Sequence, residues 1–168
     1  WIYPRSTNYD RIISNYDGSG ALSDGNIFID TYNPNAQDGR ALRFNAVGAG
    51  GARLAYSVPN VLTLNAWNHV AVTFDNGIVN LYVNGIQVGT GSLTSVNTPT
   101  TGVDLRIGER VNGGSIPFNG KIDEVRIWNV ARTMPQIVTD MNSEFCVIPS
   151  SLKAYYKFNQ GVASSSNT

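Results

Sequence analysis

The acidic residues are the first candidates for chemistry in this chain, because paired carboxylates can hydrolyse glycosidic bonds. Such pairs stand about 5 to 9.5 Å apart across the bond, and on one strand face they must be two positions apart. The sequence has only three glutamates, Glu109, Glu124 and Glu144, and none has an acidic residue two positions away. Asp123 and Glu124 are adjacent, so on a strand they point in opposite directions. The carboxylate spacing therefore predicts no catalytic residue and no enzyme.

His69 is the only histidine and Cys146 is the only cysteine. Neither predicts a catalytic or metal-binding site. No serine or cysteine motif accompanies His69, as nucleophilic catalysis would require, so we expect a packed or hydrogen-bonded strand residue. A single cysteine allows no internal disulfide and no cysteine-based metal site. We expect Cys146 to be a small, partly buried apolar residue.

Asp123 is the best candidate for a metal ligand. In the stretch GKIDEVRIWNVART, residues 120–133, the two-residue period of a strand places Asp123 on the same face as Val125 and Ile127. An unpaired carboxylate among core residues is costly. A bound cation would remove that cost, and so would backbone N–H donors. Calcium prefers oxygen ligands such as carboxylates and carbonyls, so a structural calcium ion at Asp123 and a backbone-bonded Asp123 both remain open.

Two further aspartates, Asp17 and Asp24, form a weaker candidate cation site. They lie in the loop NYDGSGALSDGN, residues 15–26, whose spacing does not fit an EF-hand. A solvated glycine-rich hairpin is the alternative interpretation of this loop.

Four tyrosines are weak candidates for ligand binding, because exposed aromatic rings beside amides or carboxylates are typical of glycan sites. They lie near the predicted strand ends: Tyr9, Tyr16, Tyr32 and Tyr56. The alternative is that these rings pack on the sheet edges. The sequence does not separate the two.

Composition limits the classes of partner. The 168 residues are 42% hydrophobic and carry 12 basic and 12 acidic side chains. Nucleic-acid binding needs a net basic surface, so no nucleic-acid partner is predicted. No apolar run reaches the 18 residues of a membrane-spanning helix, so no membrane insertion is predicted. The chain opens with WIYPRS and ends with GVASSSNT, and we expect it to be a piece of a longer protein.

Short β-type segments must position these residues. Each is bounded by Gly, Asn, Asp or Pro, and they span residues 11–17, 26–32, 40–46, 53–58, 67–89 and 103–110. Within 67–89, Asn76-Gly77 and Asn84-Gly85 predict two tight hairpins, because Asn and Gly tolerate the positive φ of a type I′ turn. Val79, Leu81 and Val83 form the predicted inward face. The pattern is typical of an all-β sandwich.

The C-terminal part departs from this pattern. Thr133 and Gln136 fit a capping box, which predicts a short helix around 134–141. A linker at 146–151 follows it. Residues 152–158, LKAYYKF, then predict one more strand.

Three motifs in order resemble those of the concanavalin A-like, laminin-G-like domains of the pentraxin type, over residues 1–145. They are WNHVA at 67–71, YVNG at 82–85 and the closing strand at 122–128. The resemblance implies an all-β jelly-roll sandwich of two antiparallel sheets with one short C-terminal helix. It also places Trp1, Trp67 and Trp128 at core positions, where we expect them buried or half-buried.

The resemblance also implies a function. Domains of this type often hold a structural calcium ion and serve as non-catalytic extracellular modules for glycan recognition or cell-surface adhesion. A structural spacer or protein-docking repeat is the alternative. We expect residues 1–145 to be one module without its first strands, and residues 152–168 either to complete it or to begin the next. The expected setting is a tandem array of modules in an extracellular or bacterial cell-surface protein, with a glycan or surface protein as partner.

Overall fold

The computed structural model describes residues 1–6, 9–16, 27–32, 40–47, 53–93, 104–109 and 117–159. Its strands are β1 (Ile2–Pro4), β2 (Arg11–Ser14), β3 (Ile27–Asp30), β4 (Leu42–Val47), β5 (Arg53–Val58), β6 (Val70–Asp75), β7 (Ile78–Val83), β8 (Ile86–Ser92), β9 (Arg106–Ile107), β10 (Gly120–Ile122), β11 (Val125–Trp128) and β12 (Leu152–Tyr156). One helix, α1 (Met134–Met141), lies between β11 and β12. The all-β class with one short helix is confirmed.

One layer is a five-stranded antiparallel sheet in the order β5-β4-β3-β2-β9. The side chains of β3 alternate between the two faces of this sheet. Ile27 and Ile29 pack against the main core, while Phe28 and Asp30 are buried on the other face. The sheet thus presents apolar residues to the second layer and a mixture of aromatic and charged residues to its outer face.

The second layer contains the meander β6-β7-β8. Both predicted Asn-Gly turns form, with φ of 47° and 81° at Asn76-Gly77 and 50° and 79° at Asn84-Gly85. These positive angles match a type I′ hairpin. The predicted inward face of β7, Val79, Leu81 and Val83, is buried.

The strand β1 connects this meander to the last part of the chain. On one side, Ile2 and Asn68 exchange backbone hydrogen bonds of 2.9 and 2.8 Å. On the other side, β1 pairs with β10 so that Ile2 faces Ile122. The amide of Asp123 continues this pairing by donating to the carbonyl of Trp1 at 2.9 Å.

The main core lies between the layers. Its buried members are Ile2, Ile12, Leu42, Phe44, Ala46, Leu62, Val79, Leu81, Val83 and Leu93. Tyr56 of β5 closes the gap toward β8, where a Cβ atom on Gly89 or Gly91 would stand 2.5 Å from Val58 or Tyr56. The glycines therefore allow the two layers to approach at this edge.

The helix α1 has the predicted bounds and the predicted capping box, in which the amide of Thr133 donates to Oε1 of Gln136 at 2.9 Å. Ile137 is its one buried residue. The helix also contacts the second hairpin, since a Cβ on Gly85 would stand 2.9 Å from the side chain of Val138. Among the described residues, no helix is long and apolar enough to span a bilayer.

The strand β12 pairs antiparallel with β11, from Val125 opposite Tyr156 to Trp128 opposite Leu152. Arg126 stabilises this arrangement. It donates to Oε2 of Glu124 at 2.7 Å, to the carbonyl of Ser143 at 2.6 Å, to the hydroxyl of Tyr155 at 3.1 Å and to the carbonyl of Asp140. The ion pair of Glu124 and Arg126 is mostly buried.

The expectations for Cys146 and Asp123 are wrong. Cys146 is exposed rather than partly buried. Asp123 is not in register with the core, because Glu124 has a left-handed φ of 53° that interrupts the strand alternation. Ile122 packs against the core instead, and its neighbour Asp123 lines an open pocket on the opposite face.

Candidate functional site

An open pocket of about 350 Å³ is lined by Trp1, Trp67, Asp123 and Glu124. It lies where β1, the turn before β6 and the junction of β10 and β11 meet. Trp67 is 43% exposed, so the expectation that it is buried or half-buried is wrong. Trp1 and Trp128 are half-buried, as expected. The pocket combines two indole rings with two carboxylates at the surface.

The position of Trp67 is fixed by its neighbour Asn68. The buried Asn68 side chain donates from Nδ2 to the carbonyls of Thr63 and Ala66 at 2.8 and 2.9 Å, and its Oδ1 accepts from the amide of Thr63 at 2.9 Å. A left-handed φ of 54° at Asn65 completes the turn. Because the turn is held by buried hydrogen bonds, the indole of Trp67 projects from a rigid base.

The two carboxylates of the pocket differ in their hydrogen bonding. Oε2 of Glu124 accepts from Arg126 and from the hydroxyl of Tyr155. Oδ1 of Asp123 accepts from the amide of Glu124 at 2.9 Å, and no described residue donates to its Oδ2. Asp123 therefore keeps one carboxylate oxygen for a ligand, whereas Glu124 is held in place by its neighbours.

His69 lies beside the pocket and packs edge-on against Trp1, with ring centroids 5.3 Å apart. Burial lowers the pKa of His69 from 6.5 to about 4, and the nearby positive charges of the Trp1 amino group and Arg126 add to the effect. His69 is thus neutral at physiological pH. It fits the expected role of a packed strand residue.

A basic rim adjoins the aromatic rings. The ring of Tyr3 meets Trp67 edge-on at 5.7 Å, and the cationic groups of Lys121 and Arg5 lie 5.5 and 5.9 Å from the Tyr3 centroid. These distances are typical of cation–π contacts. The cations are thus placed over Tyr3 and do not line the pocket itself.

The side chains described around Asp123 do not form a metal site by themselves. Calcium takes six to eight oxygens, and no group of three or more His, Cys, Asp or Glu side chains suited to a metal occurs in the described part of the chain. The backbone donor at Oδ1 fits the second interpretation of this aspartate. Asp17 and Asp24 lie outside the described residues. Calcium at any of these positions stays a prediction.

Two of the four candidate tyrosines meet in a charged cluster on the outer face of the five-stranded sheet. Asp30, with no exposed surface, accepts from Arg43 at 2.8 Å through both oxygens and from Arg11 at 3.1 Å. The rings of Tyr9 and Tyr32 lie 5.1 Å apart, and Arg43 lies 4.2 Å from the Tyr32 centroid. The arginines are too buried to reach a ligand, so this cluster is structural as it stands.

The other two tyrosines lie elsewhere. Tyr16 packs on Phe28 at 5.8 Å, at the margin of the same outer face. Tyr56 lies between the layers, against the glycines of β8. The structure therefore does not assemble the four tyrosines into one site.

The sequence reasoning missed Trp67 as a site residue, although a signal was present. In residues 67–73, Val70 and Val72 alternate with Trp67, His69 and Ala71, so the two-residue period places the indole on the face opposite the valines. The valines pack on the core, which leaves Trp67 on the outer face.

Comparison with known proteins adds to this geometry. Residues 1–138 match the family model of the concanavalin A-like lectin/glucanases superfamily. Mouse (Mus musculus) pappalysin-1 is 37% identical over 82 residues, which cover 46% of this chain and 5% of that protein. The chain spans 2 to 6% of the length of the curated relatives it matches.

Two solved structures share the fold. A Bacteroides ovatus protein described as carbohydrate binding is 25% identical, with a TM-score of 0.63 over 94% of this chain and 49% of that one. The module CBM40 of the Ruminococcus gnavus IT-sialidase is 16% identical, with a TM-score of 0.65 over 82% of this chain and 77% of that one. With the two-layered antiparallel fold and the match over 138 residues, the chain belongs to the concanavalin A-like lectin/glucanases superfamily.

Proposed function

We propose that this chain is a non-catalytic glycan-binding module whose site is the pocket of Trp1, Trp67, Asp123 and Glu124. The observation that carries the proposal is the exposed indole of Trp67 on a rigid turn, beside a carboxylate oxygen with no described donor. An indole offers a flat apolar face that suits the C–H face of a sugar ring. A carboxylate oxygen accepts hydrogen bonds from sugar hydroxyls.

The state of the carboxylates favours binding over catalysis. A glycosidase needs a pair that can flank the bond, whereas Glu124 is occupied by Arg126 and Tyr155. The Bacteroides ovatus protein described as carbohydrate binding lends support at the level of the fold. An extracellular or bacterial cell-surface location, with a role in recognition or adhesion, is consistent with a lectin-type module.

The test is a glycan-array screen of the chain and of its Trp67→Ala variant. We expect the chain to bind a subset of glycans. The affinity of Trp67→Ala for these glycans should be about tenfold lower, because an aromatic stacking contact contributes about 1 kcal/mol in addition to the buried apolar area. Tyr156→Ala is the matched control, since Tyr156 is exposed to a similar extent and lies outside the pocket. No binding by the unaltered chain, or equal binding by Trp67→Ala, would contradict the proposal.

A docking role is the second candidate, favoured by the exposed apolar residues at β12. Tyr156 and Phe158 stack at 6.2 Å, and Val147 and Ile148 are exposed nearby. In the described sheets β12 pairs only with β11, and an unpaired strand edge can accept another strand. The occupant under this proposal is a neighbouring module of the same family in the parent chain.

Two copies of the chain joined in tandem test the docking role. If the modules dock through β12, the tandem protein melts at a higher temperature than the single module, and Tyr156→Lys removes the difference. Equal melting temperatures for the single and tandem proteins would exclude this docking.

A further inference from the structure

The charges around the aromatic pocket point to its ligand class. We infer that the pocket selects uncharged or amino sugars and rejects sialylated glycans, because the charged side chains that line it are the carboxylates of Asp123 and Glu124. This inference rests on the proposed glycan site and adds the substrate class to it.

The first step concerns the cations near the pocket. Arg126 is close to the pocket in sequence, but its guanidinium donates to Glu124, Ser143 and Tyr155 and is mostly buried. Lys121 and Arg5 lie over the ring of Tyr3. No described cation therefore lines the pocket to pair with a ligand carboxylate.

The second step concerns the remaining titratable groups. His69 is neutral above pH 6, since burial lowers its pKa to about 4. Burial likewise lowers the pKa of the Trp1 amino group from 8.0 to about 6, so that this group is mostly uncharged at pH 8. At that pH the negative charge of Asp123 has no described ion-pair partner, whereas Glu124 is paired with Arg126.

The third step is the consequence for ligands. An anionic sugar in contact with Trp67 brings its carboxylate close to Asp123, because both residues line the same pocket. The two negative charges then repel each other, even near the protein surface. A neutral sugar donates its hydroxyl groups to the same oxygen instead, and an amino sugar adds an attractive charge. The carboxylate of Asp123 thus favours neutral and amino sugars and disfavours anionic sugars.

The experiment is a glycan array at pH 8 that carries neutral, amino and sialylated glycans, with lactose and sialyllactose as the pair that differs by the charged sugar. We expect the Trp67-dependent signals to come from neutral and amino glycans, with sialylated counterparts weaker by about tenfold. Higher salt should narrow that difference, because exposed charges are screened.

Asp123→Asn separates charge from shape, because it keeps the size of the side chain. We expect this variant to raise the binding of sialylated glycans relative to their neutral counterparts. Glu144→Gln, which removes an exposed carboxylate outside the pocket, should leave the ratio unchanged. Trp67-dependent binding that favours sialylated glycans, or an unchanged ratio in Asp123→Asn, would overturn the inference and leave the glycan site standing. The absence of any Trp67-dependent binding would overturn the proposed function itself.

Discussion

Single residues determine the shape of the candidate site. Asn68 is the best example, because one side chain satisfies three backbone groups of the turn that presents Trp67. Glu124 is another, because its left-handed backbone turns Asp123 away from the core and into the pocket. The turn that presents Trp67 and the direction of Asp123 thus each depend on a single residue.

Replacing Asn68 by alanine should destabilise the protein by about 2–4 kcal/mol, because three buried hydrogen bonds are lost and each contributes about 1 kcal/mol. Urea unfolding followed by fluorescence measures the change. The control is Asn129→Ala, an exposed position that uses only its backbone amide, where we expect a change within about 0.5 kcal/mol. Similar stabilities for the two variants would show that the Asn68 hydrogen bonds do not hold the turn.

His69 should make stability depend on pH. The folded protein binds the His69 proton only below about pH 4, whereas the unfolded chain binds it below about 6.5. The unfolded state therefore holds more protons in this window, and the free energy of unfolding falls as the pH decreases from 6.5 to 4. The loss attributable to His69 is on the order of 2–3 kcal/mol.

The measurement compares urea unfolding of the parent and of His69→Gln across this pH window. The glutamine variant does not titrate, so its stability should fall less than that of the parent. Identical pH dependence in both proteins would rule out a depressed His69 pKa. An NMR titration of the imidazole gives the value directly.

At the scale of elements, one arginine holds three pieces of the chain together. Arg126 of β11 donates to the carbonyl groups of Asp140 and Ser143 at the end of α1 and to the hydroxyl of Tyr155 on β12. Carbonyl groups at a helix C-terminus lack partners within the helix, and a cation there is favourable. The helix and the last strand are therefore stabilised by the same side chain.

Replacing Arg126 by alanine should destabilise β12 by about 2–4 kcal/mol, because Glu124 loses the partner of a mostly buried ion pair. Hydrogen exchange should become faster at the amides of residues 152–156 and at the end of α1, more than in the five-stranded sheet. Lys157→Ala is the control, since the ion pair of Lys157 with Glu144 is exposed and should contribute nothing measurable. Unchanged exchange in β12 would contradict this role of Arg126.

At the scale of the whole molecule, the C-terminal strand forms a two-stranded sheet with β11. Leu152 is buried, and β12 pairs with β11 along its length. Whether this strand completes the module or begins the next one in the parent chain is still a prediction. Its contribution to this fold can be measured directly.

A chain that ends at residue 145 should melt at a lower temperature and associate as its concentration rises, because β11 then presents an unpaired edge. Differential scanning calorimetry and sedimentation velocity measure the two effects. A synthetic peptide of residues 146–159 should restore the melting temperature by pairing with β11. A truncated chain that melts like the parent would show that β12 adds little to the module.

Calcium is also tested on the whole molecule. A stabilising ion bound only to the folded state raises the melting temperature, so EDTA should lower the midpoint and added calcium should restore it. If Asp123 is a ligand, Asp123→Asn loses this response. An unchanged midpoint with EDTA would exclude a stabilising calcium ion.

The sequence alone determined the local structure of this protein. The Asn-Gly pairs fixed two hairpins, and the capping box of Thr133 and Gln136 fixed the start of α1, because each depends on φ preferences or hydrogen bonds within a few residues. The inward face of β7 followed from its two-residue period. Three motifs in order were enough to identify the family.

Only the tertiary structure decided the site. Asp123 left the core face because one residue, Glu124, adopted a backbone conformation that the sequence pattern does not reveal. Tyr56 lies between the layers, and Tyr9 and Tyr32 pack against buried arginines. The packing of these tyrosines depends on contacts between residues far apart in the chain, and local periodicity carries no information about such contacts.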